Sequence, residues 1–415
     1  SRVGDGYGVT KRYIGKQTPW ASFKLLSSSP APKMRASASL LALAGTLALA
    51  QTPSRPYSTW LASSFVARKA PIDAGYGPAV LYEGIARAAA AASNATLLRA
   101  AETAVSSLVS DAGVLDGWDP EWYSLDDIRI GNNLLWFYQR NTTAGAKYKI
   151  AADGLRQQLN RWPRTPSGGF WHRAPIYEDQ MWLDGIYMAD SFYATYVSLF
   201  EKGNTTAWGE IALQFDLIEE HTRNHTTNLL VHGYDEAKDA VWADPVTGAS
   251  PLVWNRAVGW YFMALIDTLQ VYPKNLPGYA RLQKYFVTLA DGLARSQDAS
   301  GGWWLIMNEG YQTRKGNYLE SSAAAMFAYG LLRGVRDGFL EAKYKDVGLK
   351  AYKALVRDFI RDDKNGLISF TGTVQVGSLN SNASFEYYTS IPIVENDHRG
   401  SGSFMFAAIE AELAK

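Results

Sequence analysis

Two kinds of helical segment alternate along most of this sequence, and this alternation limits the possible folds more than any other feature. Segments of the first kind are rich in small and aromatic residues and apolar nearly all round, which is typical of helices enclosed by other helices. They are 76–93, 131–141, 184–200, 256–272, 321–335 and 401–414. Segments of the second kind, such as 147–161 and 281–296, are amphipathic, which predicts helices packed through one face.

A glycine turn with an aromatic or aliphatic pair follows each amphipathic segment. The turns are GVLDGW (113–118), SGGFWH (167–172), LVHGYD (230–235), SGGWWL (300–305) and KNGLISF (364–370). They recur about every 50 to 70 residues, the length of a helical hairpin with its loops. With 57–69 as the first outer helix, six inner and six outer helices predict an all-α (α/α)6 barrel. An open helical solenoid is the alternative, but no polar capping repeat is seen.

The first fifty residues fall outside this pattern. Residues 34–50, MRASASLLALAGTLALA, combine a basic residue, an apolar run and a small-x-small end, as in a secretory signal peptide. We therefore expect residues 1–33 to be upstream leader or added sequence, 51–415 to form one domain, and the protein to be extracellular. Five glycosylation sequons agree with export from a eukaryotic cell: they begin at Asn94, Asn141, Asn204, Asn224 and Asn382.

Composition excludes several classes of function. The 415 residues carry 41 Lys and Arg against 40 Asp and Glu, without basic or acidic blocks, so neither nucleic acid nor a membrane is an expected partner. The absence of cysteine excludes disulfides, thiol nucleophiles and zinc ribbons. The 14 tryptophans and 24 tyrosines suit sugar rings, although core packing accounts for most of them.

In an (α/α)6 barrel the loops that enter the inner helices line one mouth of the ring. Residues just before or at the start of each inner helix should therefore converge at that mouth. They are Asp126, Asp127, Asp184, Trp254, Arg256, Glu320 and residues 398–402.

Asp184, in the stretch WLDGIYM, has two interpretations. It could cap its helix or occupy the first turn, satisfied by backbone N–H groups, because aspartate is a favoured capping residue. Alternatively, apolar walls from Trp182, Tyr187 and Met188 could keep the carboxyl partly protonated, poised as a general acid. The sequence alone does not decide between them.

The other polar candidates have similar alternatives. At least one of Asp126 and Asp127 should start a helix, and the other could be a second carboxylate at the mouth. Arg256, in WNRAVGW, is either a guanidinium for bidentate capture of a carboxylate or an ordinary surface arginine.

The five histidines divide into two groups. His221 and His225 are four residues apart, but without a third metal ligand we expect a solvated helix face. His172 and His232 each belong to a glycine-turn stretch and should face the mouth. No G-x-S-x-G, P-loop or dinucleotide-binding motif supports serine hydrolase or nucleotide chemistry.

Several motifs together resemble the unsaturated rhamnogalacturonyl hydrolases of glycoside hydrolase family 105. They are SLDDIRIGNNLLWFY, GGFWH, QMWLDGIYMADSFYA, LVHGYDE, WNRAVGWYFMALID, GNYLESSAAAMFAYG and HRGSGSFMFAAIE. The motifs occur in the same order as in that family from about residue 120 onward. WLDGIYM, found together with the others, is specific for the family. The resemblance implies the (α/α)6 fold and activity on oligosaccharides left by pectin lyases, whose terminal uronic acid has a C4=C5 double bond.

The resemblance also implies roles for individual residues. Asp184 is expected to protonate C4 and to activate the water that adds at C5, after which the hemiketal opens and releases the neighbouring sugar. Asp126 is expected to be the second essential carboxylate, with Asp127 in reserve. The implied substrate-binding residues are His172, Trp182, Met188, His232, Trp254 and Arg256: the histidines as contacts, the tryptophans as stacking surfaces and the arginine as partner of the substrate carboxylate. No metal or organic cofactor is expected.

The expected partners are unsaturated oligogalacturonides or rhamnogalacturonan oligosaccharides, bound by a monomer secreted from a biomass-degrading fungus. Two alternatives remain open: an unsaturated glucuronyl hydrolase similar to family 88, and a carbohydrate-binding barrel without catalysis. A sugar epimerase on a similar barrel is disfavoured because no suitably placed histidine pair is found.

Overall fold

Helices alternate between two concentric layers in the computed structural model, which describes residues 55–69, 72–141 and 145–414. The outer layer consists of α1 (Tyr57–Arg68), α3 (Ala95–Ser107), α6 (Ala146–Leu159), α9 (Thr205–Thr222), α11 (Pro277–Ser296) and α13 (Lys343–Phe359). The inner layer consists of α2 (Tyr76–Ala91), α4 (Leu125–Ile128) with α5 (Gly131–Arg140), α7 (Leu183–Gly185) with α8 (Ser191–Phe200), α10 (Asn255–Leu269), α12 (Ser321–Arg336) and α15 (His398–Leu413). A short helix, α14 (Phe385–Ser390), precedes α15. The leader and signal peptide predicted at 1–50 lie outside the described residues.

The ring of inner helices is closed. Inner helices that follow each other in sequence pack side by side, and α2 also packs against the last one, α15. At this seam Ser58 Oγ donates a 2.6 Å hydrogen bond to Glu412, across 354 positions of sequence. An open solenoid has no contact of this kind, so the predicted (α/α)6 barrel is confirmed.

Burial separates the two layers as the sequence pattern predicts. Every residue of the inner helix α10 except Asp267 is buried. The outer helix α13 buries only one stripe, Tyr344, Gly348, Ala351, Ala354 and Leu355, at the three- and four-residue spacing of a single helix face. The barrel is therefore held together mainly by the apolar interior of the inner ring.

Short antiparallel strand pairs set where the inner helices begin. The strands are β1 (Tyr123–Ser124), β2 (Arg173–Ala174), β3 (Gln180–Trp182), β4 (Gly233–Asp235), β5 (Ile360–Asp362), β6 (Ile368–Phe370), β7 (Thr373–Val374) and β8 (Ile393–Val394). They pair as β1 with β2, β3 with β4, β5 with β6 and β7 with β8. In the first two pairs, the strand that precedes an inner helix (β1 or β3) is hydrogen-bonded to a strand in the corresponding loop of the next repeat (β2 or β4).

The same backbone hydrogen bond recurs in three repeats, where the chain enters an inner helix. The backbone N–H of Leu125 donates to His172, that of Leu183 to His232, and that of Asn255 to Leu305, at 3.0–3.1 Å. The next residue in each case is Asp126, Asp184 or Arg256. These three side chains therefore occupy equivalent positions, and this equivalence brings them to one mouth of the barrel.

One inner helix departs from the prediction. The segment expected as a continuous helix over 184–200 consists of α7, a π-helical stretch Ile186–Asp190, and α8. Such widened turns occur mostly as short interruptions of α-helices, often at functional sites. Here the wider turn begins two residues after Asp184.

The sequon asparagines lie on the surface of the barrel domain. Asn94 and Asn204 cap α3 and α9 through their side-chain oxygens, and Asn141, Asn224 and Asn382 are exposed. In the part of the chain that the structure describes, no helix combines the length and the apolar character needed to cross a membrane.

Candidate active site

Asp126 and Asp184 each occupy the second position of a short helix at the mouth of the barrel. Their side chains are 18% and 14% exposed. Neither caps its helix, since no backbone N–H among the described residues is bonded to either carboxylate. Both are therefore free to interact with side chains and with a ligand, which excludes the capping interpretation of Asp184.

The carboxylate of Asp184 is held by one histidine. Its Oδ2 lies 3.0 Å from Nε2 of His232, whose side chain is buried. The imidazole lies between two indole rings, with its ring centre 4.9 Å from that of Trp254 and 5.8 Å from that of Trp182. One oxygen of Asp184 is thus fixed by a rigid neighbour, as a preorganised proton donor requires.

Asp126 belongs to a cluster with an arginine and a second histidine. Nη2 of Arg173 donates a 2.8 Å hydrogen bond to its Oδ2, and Nε2 of His172 lies 4.0 Å from Oδ1. Nε of Arg173 donates in turn to Ser124, the last residue of β1. The pairing of β1 with β2 therefore carries Arg173 to the carboxylate.

The mouth favours protonated carboxyl groups. Burial raises the pKa of Asp126 to about 6; Arg173 opposes this shift and the charge of Asp184 adds to it. Burial and the charge of Asp126 likewise raise the pKa of Asp127 to about 6, against Arg173. The mouth can therefore hold an exchangeable acidic proton near pH 6.

An aromatic wall lies beside the carboxylates. The ring of His172 stacks on Trp182 with centres 4.1 Å apart and planes 13° from parallel, and the ring of Tyr177 lies 4.6 Å from Trp182 on centres. Burial lowers the pKa of His172 to about 3, so this imidazole is neutral. The stacked rings are buried and form a rigid apolar wall beside the carboxylates.

The glycine of the WLDG motif is required by the packing of this wall. A Cβ atom on Gly185 would lie 2.7 Å from Cδ1 of Leu125 and 3.2 Å from Nδ1 of His172. A larger residue would therefore require the side chain of Leu125 to move and would crowd His172. The glycine of the motif thus allows the close packing against Leu125 and His172 that holds the segment of Asp184 in place.

A buried cation joins the two carboxylate-bearing segments below the mouth. Arg129, one residue after α4, donates a 2.9 Å hydrogen bond to the hydroxyl of Tyr187 and lies over its ring at 4.4 Å. Tyr187 belongs to the π-helical stretch that follows Asp184. Arg129 is also paired with Glu83. The segments that carry Asp126 and Asp184 are therefore linked through polar contacts as well as packing.

Three predicted substrate-binding residues have different surroundings from those expected. The side chain of Arg256 is 1% exposed and bonds to Glu320, Ser322 and two backbone carbonyls. Trp254 is buried, since Gly377 lies against its ring. Met188 is completely buried in the π-helical stretch. None of the three presents a free surface in this structure, and their roles as carboxylate partner, stacking surface and contact residue stay predictions.

The structure adds residues that sequence reasoning missed. Arg173 is 26% exposed at the mouth, and its position directly after His172 could have revealed it. Tyr388 contacts His232 from α14, which lies outside the repeat and has no sequence signal. Tyr76, also missed, bonds to Arg399 of the predicted range 398–402 where α2 and α15 begin, and both interact electrostatically with Asp126. They extend the mouth across the seam of the ring.

The other pair of histidines lies away from this mouth. His225 is exposed, whereas His221 is half-buried and stacks on Tyr234 with ring centres 4.2 Å apart. The expected solvated face thus describes His225 but not His221. In the described ranges no cluster of three or more His, Asp or Glu side chains is arranged to hold a metal.

The helical barrel, with two carboxylates beside an aromatic wall at one mouth, is an architecture suited to a glycoside hydrolase. The family model described as Glycosyl Hydrolase Family 88 matches residues 60–415, and the chain belongs to this family. A solved glycoside hydrolase of family 105 from C. acetobutylicum is 36% identical, with a TM-score of 0.82 over 86% of this chain and 100% of its own. The resemblance to family 105 is therefore confirmed.

Two further similarities place the chain among its relatives. The unsaturated rhamnogalacturonyl hydrolase YesR of Bacillus subtilis is 26% identical over 288 residues, which cover 68% of this chain and 75% of YesR. The crystal structure of an unsaturated glucuronyl hydrolase from a Bacillus species has a TM-score of 0.63 at 12% identity, over 83% of this chain and 88% of its own. At that identity the second similarity concerns the fold alone.

Proposed function

We propose that this enzyme hydrates the C4=C5 double bond of a terminal unsaturated galacturonyl residue on products of pectin or rhamnogalacturonan lyases. The observation that carries the proposal is Asp184, an uncapped carboxylate held by His232 beside a second carboxylate that shares its electrostatic field. The 26% identity to an unsaturated rhamnogalacturonyl hydrolase supports the choice of substrate. The proposed product is an unstable hemiketal that opens and releases the neighbouring sugar.

Asp184 acts first as an acid and then as a base in this mechanism. Its protonated carboxyl donates to C4, and positive charge develops at C5, where the ring oxygen stabilises it. The carboxylate then removes a proton from the water that adds at C5, which restores the starting state. A positioned acid of this kind typically contributes about 100- to 10,000-fold in rate.

Asp126 and its neighbours prepare the site for this step. Below about pH 6 the raised pKa of Asp126 keeps its carboxyl largely protonated, which limits the negative charge that would repel an anionic substrate. Its hydrogen bond to Arg173 gives it a fixed orientation. We assign Asp126 the role of second essential carboxylate and keep Asp127 as the reserve assignment.

Arg173 is the best placed cation to receive the substrate carboxylate. It is 26% exposed, and its Nη1 has no hydrogen-bond partner among the described residues. A planar guanidinium with free donors suits a uronate. The stacked rings of His172, Trp182 and Tyr177 lie next to it and, being buried, form a rigid wall beside this cation.

A comparison of lyase digests tests the proposed function. Unsaturated rhamnogalacturonan disaccharide, unsaturated galacturonides and unsaturated glucuronyl oligosaccharides are each incubated with enzyme, and loss of the ultraviolet absorbance of the double bond is recorded. The highest kcat/KM is expected on the galacturonyl substrates. Preference for glucuronyl ends would favour an activity like that of family 88, and no turnover on any of them would favour a binding protein without catalysis.

We further propose that the enzyme is secreted and acts as a monomer. The signal-peptide pattern at 34–50 and the surface positions of the sequon asparagines support secretion. N-terminal sequencing and glycan analysis of protein from a eukaryotic host, together with its mass in solution, test these points.

A further inference from the structure

A tyrosine outside the helical repeat is connected to the catalytic carboxylate through one histidine. The hydroxyl of Tyr388 lies 2.6 Å from Nδ1 of His232, and Nε2 of the same ring lies 3.0 Å from Oδ2 of Asp184. The three side chains thus form a continuous line of hydrogen bonds. Tyr388 belongs to α14, between β7 and β8, so it reaches the site from an insertion before the last inner helix.

The surroundings of Tyr388 determine the direction of these hydrogen bonds. Its hydroxyl has no other hydrogen-bond partner in the part of the chain that the structure describes, and burial, reinforced by the charge of Asp184, raises the pKa of Tyr388 well above its usual range. The hydroxyl therefore keeps its proton and donates it to Nδ1. The opposite imidazole tautomer would leave a buried O–H without an acceptor, which folded proteins avoid.

The tautomer of His232 determines whether its Nε2 donates a hydrogen bond to Asp184 or accepts one from it. With Nδ1 as acceptor, a neutral imidazole has its hydrogen on Nε2. That N–H points to Oδ2 of Asp184, so Oδ2 accepts a hydrogen bond in the resting enzyme. The hydrogen of a protonated Asp184 then belongs on the other oxygen, Oδ1.

Aromatic packing keeps this line rigid. The ring of Trp254 stacks on Tyr388 with centres 5.6 Å apart and also contacts His232. The backbone of His232 is bonded on both sides, to Leu252 and Leu183. Trp254 is therefore placed to hold the Tyr388–His232 pair, a different use of this tryptophan from stacking against a sugar.

We propose that Tyr388 is a positioning residue that sets His232 as an Nε2–H donor to Oδ2 of Asp184 and so reserves Oδ1 for the proton transferred to substrate. This inference rests on the proposed function, because it assigns the proton of that reaction to one oxygen atom. It also makes a statement about the resting enzyme that can be tested without substrate.

The first test determines the tautomer of His232 directly. Nitrogen-15 NMR of enzyme labelled at its five histidines distinguishes Nδ1–H from Nε2–H, and His232→Gln identifies the signal. We expect the Nε2–H tautomer in the wild type. Tyr388→Phe removes the donor to Nδ1, so its Nδ1 signal should move toward that of an acceptor without a hydrogen bond. An Nδ1–H tautomer in the wild type, or an unchanged Nδ1 signal in Tyr388→Phe, would overturn the proposal whether or not a substrate is known.

The second test measures kinetics on the most reactive lyase product. Tyr388→Phe should lower kcat by about tenfold with KM nearly unchanged, less than the roughly 100-fold or more expected for loss of the acid itself. In a His232→Gln background the same substitution should have little further effect, since the line is already broken. An unchanged kcat in Tyr388→Phe would contradict the proposal.

The matched control is Tyr387→Phe on the same helix, whose hydroxyl accepts a hydrogen bond from the backbone of Ser378 and does not contact His232. This variant should keep the wild-type tautomer and kcat. An equal loss of kcat in both variants would point to general damage of α14 and would also contradict a specific role for Tyr388. Absence of turnover in the wild type would count against the proposed function, and the NMR result would still decide the tautomer.

Discussion

Nη2 of Arg256 lies 3.2 Å from Oε1 of Glu320, and the two side chains are 1% and 0% exposed. Nε of Arg256 donates to Ser322, and Glu320 accepts from the backbone of Ala323 and Val374. The pair therefore ties the starts of α10 and α12 to the strand β7. Its donors and acceptors are directed at the protein, which makes it a structural ion pair.

Removal of Arg256 should lower the stability of the protein, because the buried charge of Glu320 then has no partner. Arg256→Ala leaves Glu320 uncompensated, so the free energy of unfolding should fall by roughly 3 to 5 kcal/mol, measured by denaturant titration. The control is Arg281→Ala, which breaks the more exposed ion pair with Asp216 and should cost about 1 kcal/mol or less. Wild-type stability with a selectively raised KM would return Arg256 to the role of substrate partner.

Asp184→Asn should abolish turnover and leave the fold intact. The amide keeps the shape of the side chain and can still accept from Nε2 of His232, but it supplies no acidic proton. A loss of kcat of about 100-fold or more is expected, with an unchanged melting temperature as the check on folding. Activity within about tenfold of the wild type would contradict the assignment.

Asp126→Asn should change how stability depends on pH. The pKa of Asp126 is raised to about 6, so the folded protein holds this proton more tightly than the unfolded chain, whose value is about 3.9. The stabilising contribution is complete below about pH 4 and is lost as the pH rises through 6. From pH 4 to pH 8 the variant should therefore gain roughly 2 kcal/mol relative to the wild type. A pH-independent difference in the free energy of unfolding would show that the carboxyl titrates normally.

Arg173→Met should weaken binding of the uronate. The variant loses the exposed guanidinium at the mouth, so KM should rise by about tenfold or more, since a hydrogen bond to a charged group contributes about 1.5 to 3 kcal/mol. The loss should be smaller for a methyl-esterified substrate, which has no carboxylate charge. Arg161→Met, at the surface pair with Glu121, is the control and should leave KM unchanged. An equal effect on both substrates would remove Arg173 from carboxylate binding.

Reaction in heavy water should place one deuterium at C4 of the product. The first new bond in the proposed mechanism is a C–H bond formed with the exchangeable proton of Asp184, whereas ordinary glycosidases act at the anomeric carbon with two carboxylates flanking the glycosidic bond. Mass spectrometry and NMR of the product measure the incorporation. A saturated galacturonide should not react; its efficient hydrolysis without deuterium at C4 would show direct attack at the anomeric carbon.

The sequence by itself determined the architecture and the positions of the two carboxylates. Helix type follows from local periodicity, because an inner helix is enclosed on all sides and an outer helix on one. The glycine turns set the repeat, and equivalent positions in a closed ring must meet at one mouth. The place in the repeat pointed to Asp184 and to the pair Asp126 and Asp127, and the family resemblance selected Asp126; the bond pattern of Leu125 and Leu183 puts Asp126 and Asp184 in equivalent positions.

Only the tertiary structure decided which residues at that mouth are available to a ligand. Arg256 occupies the same repeat position as Asp184, yet Glu320 and the strand β7 use its donors. Trp254 is covered by the segment at Gly377, and Tyr388 meets His232 across 156 positions of sequence. These contacts involve residues 373–390, which lie outside the repeat, so no local periodicity predicts them. Exposure and hydrogen-bond partners are properties of the packed chain, because they depend on which distant segment closes over each side chain.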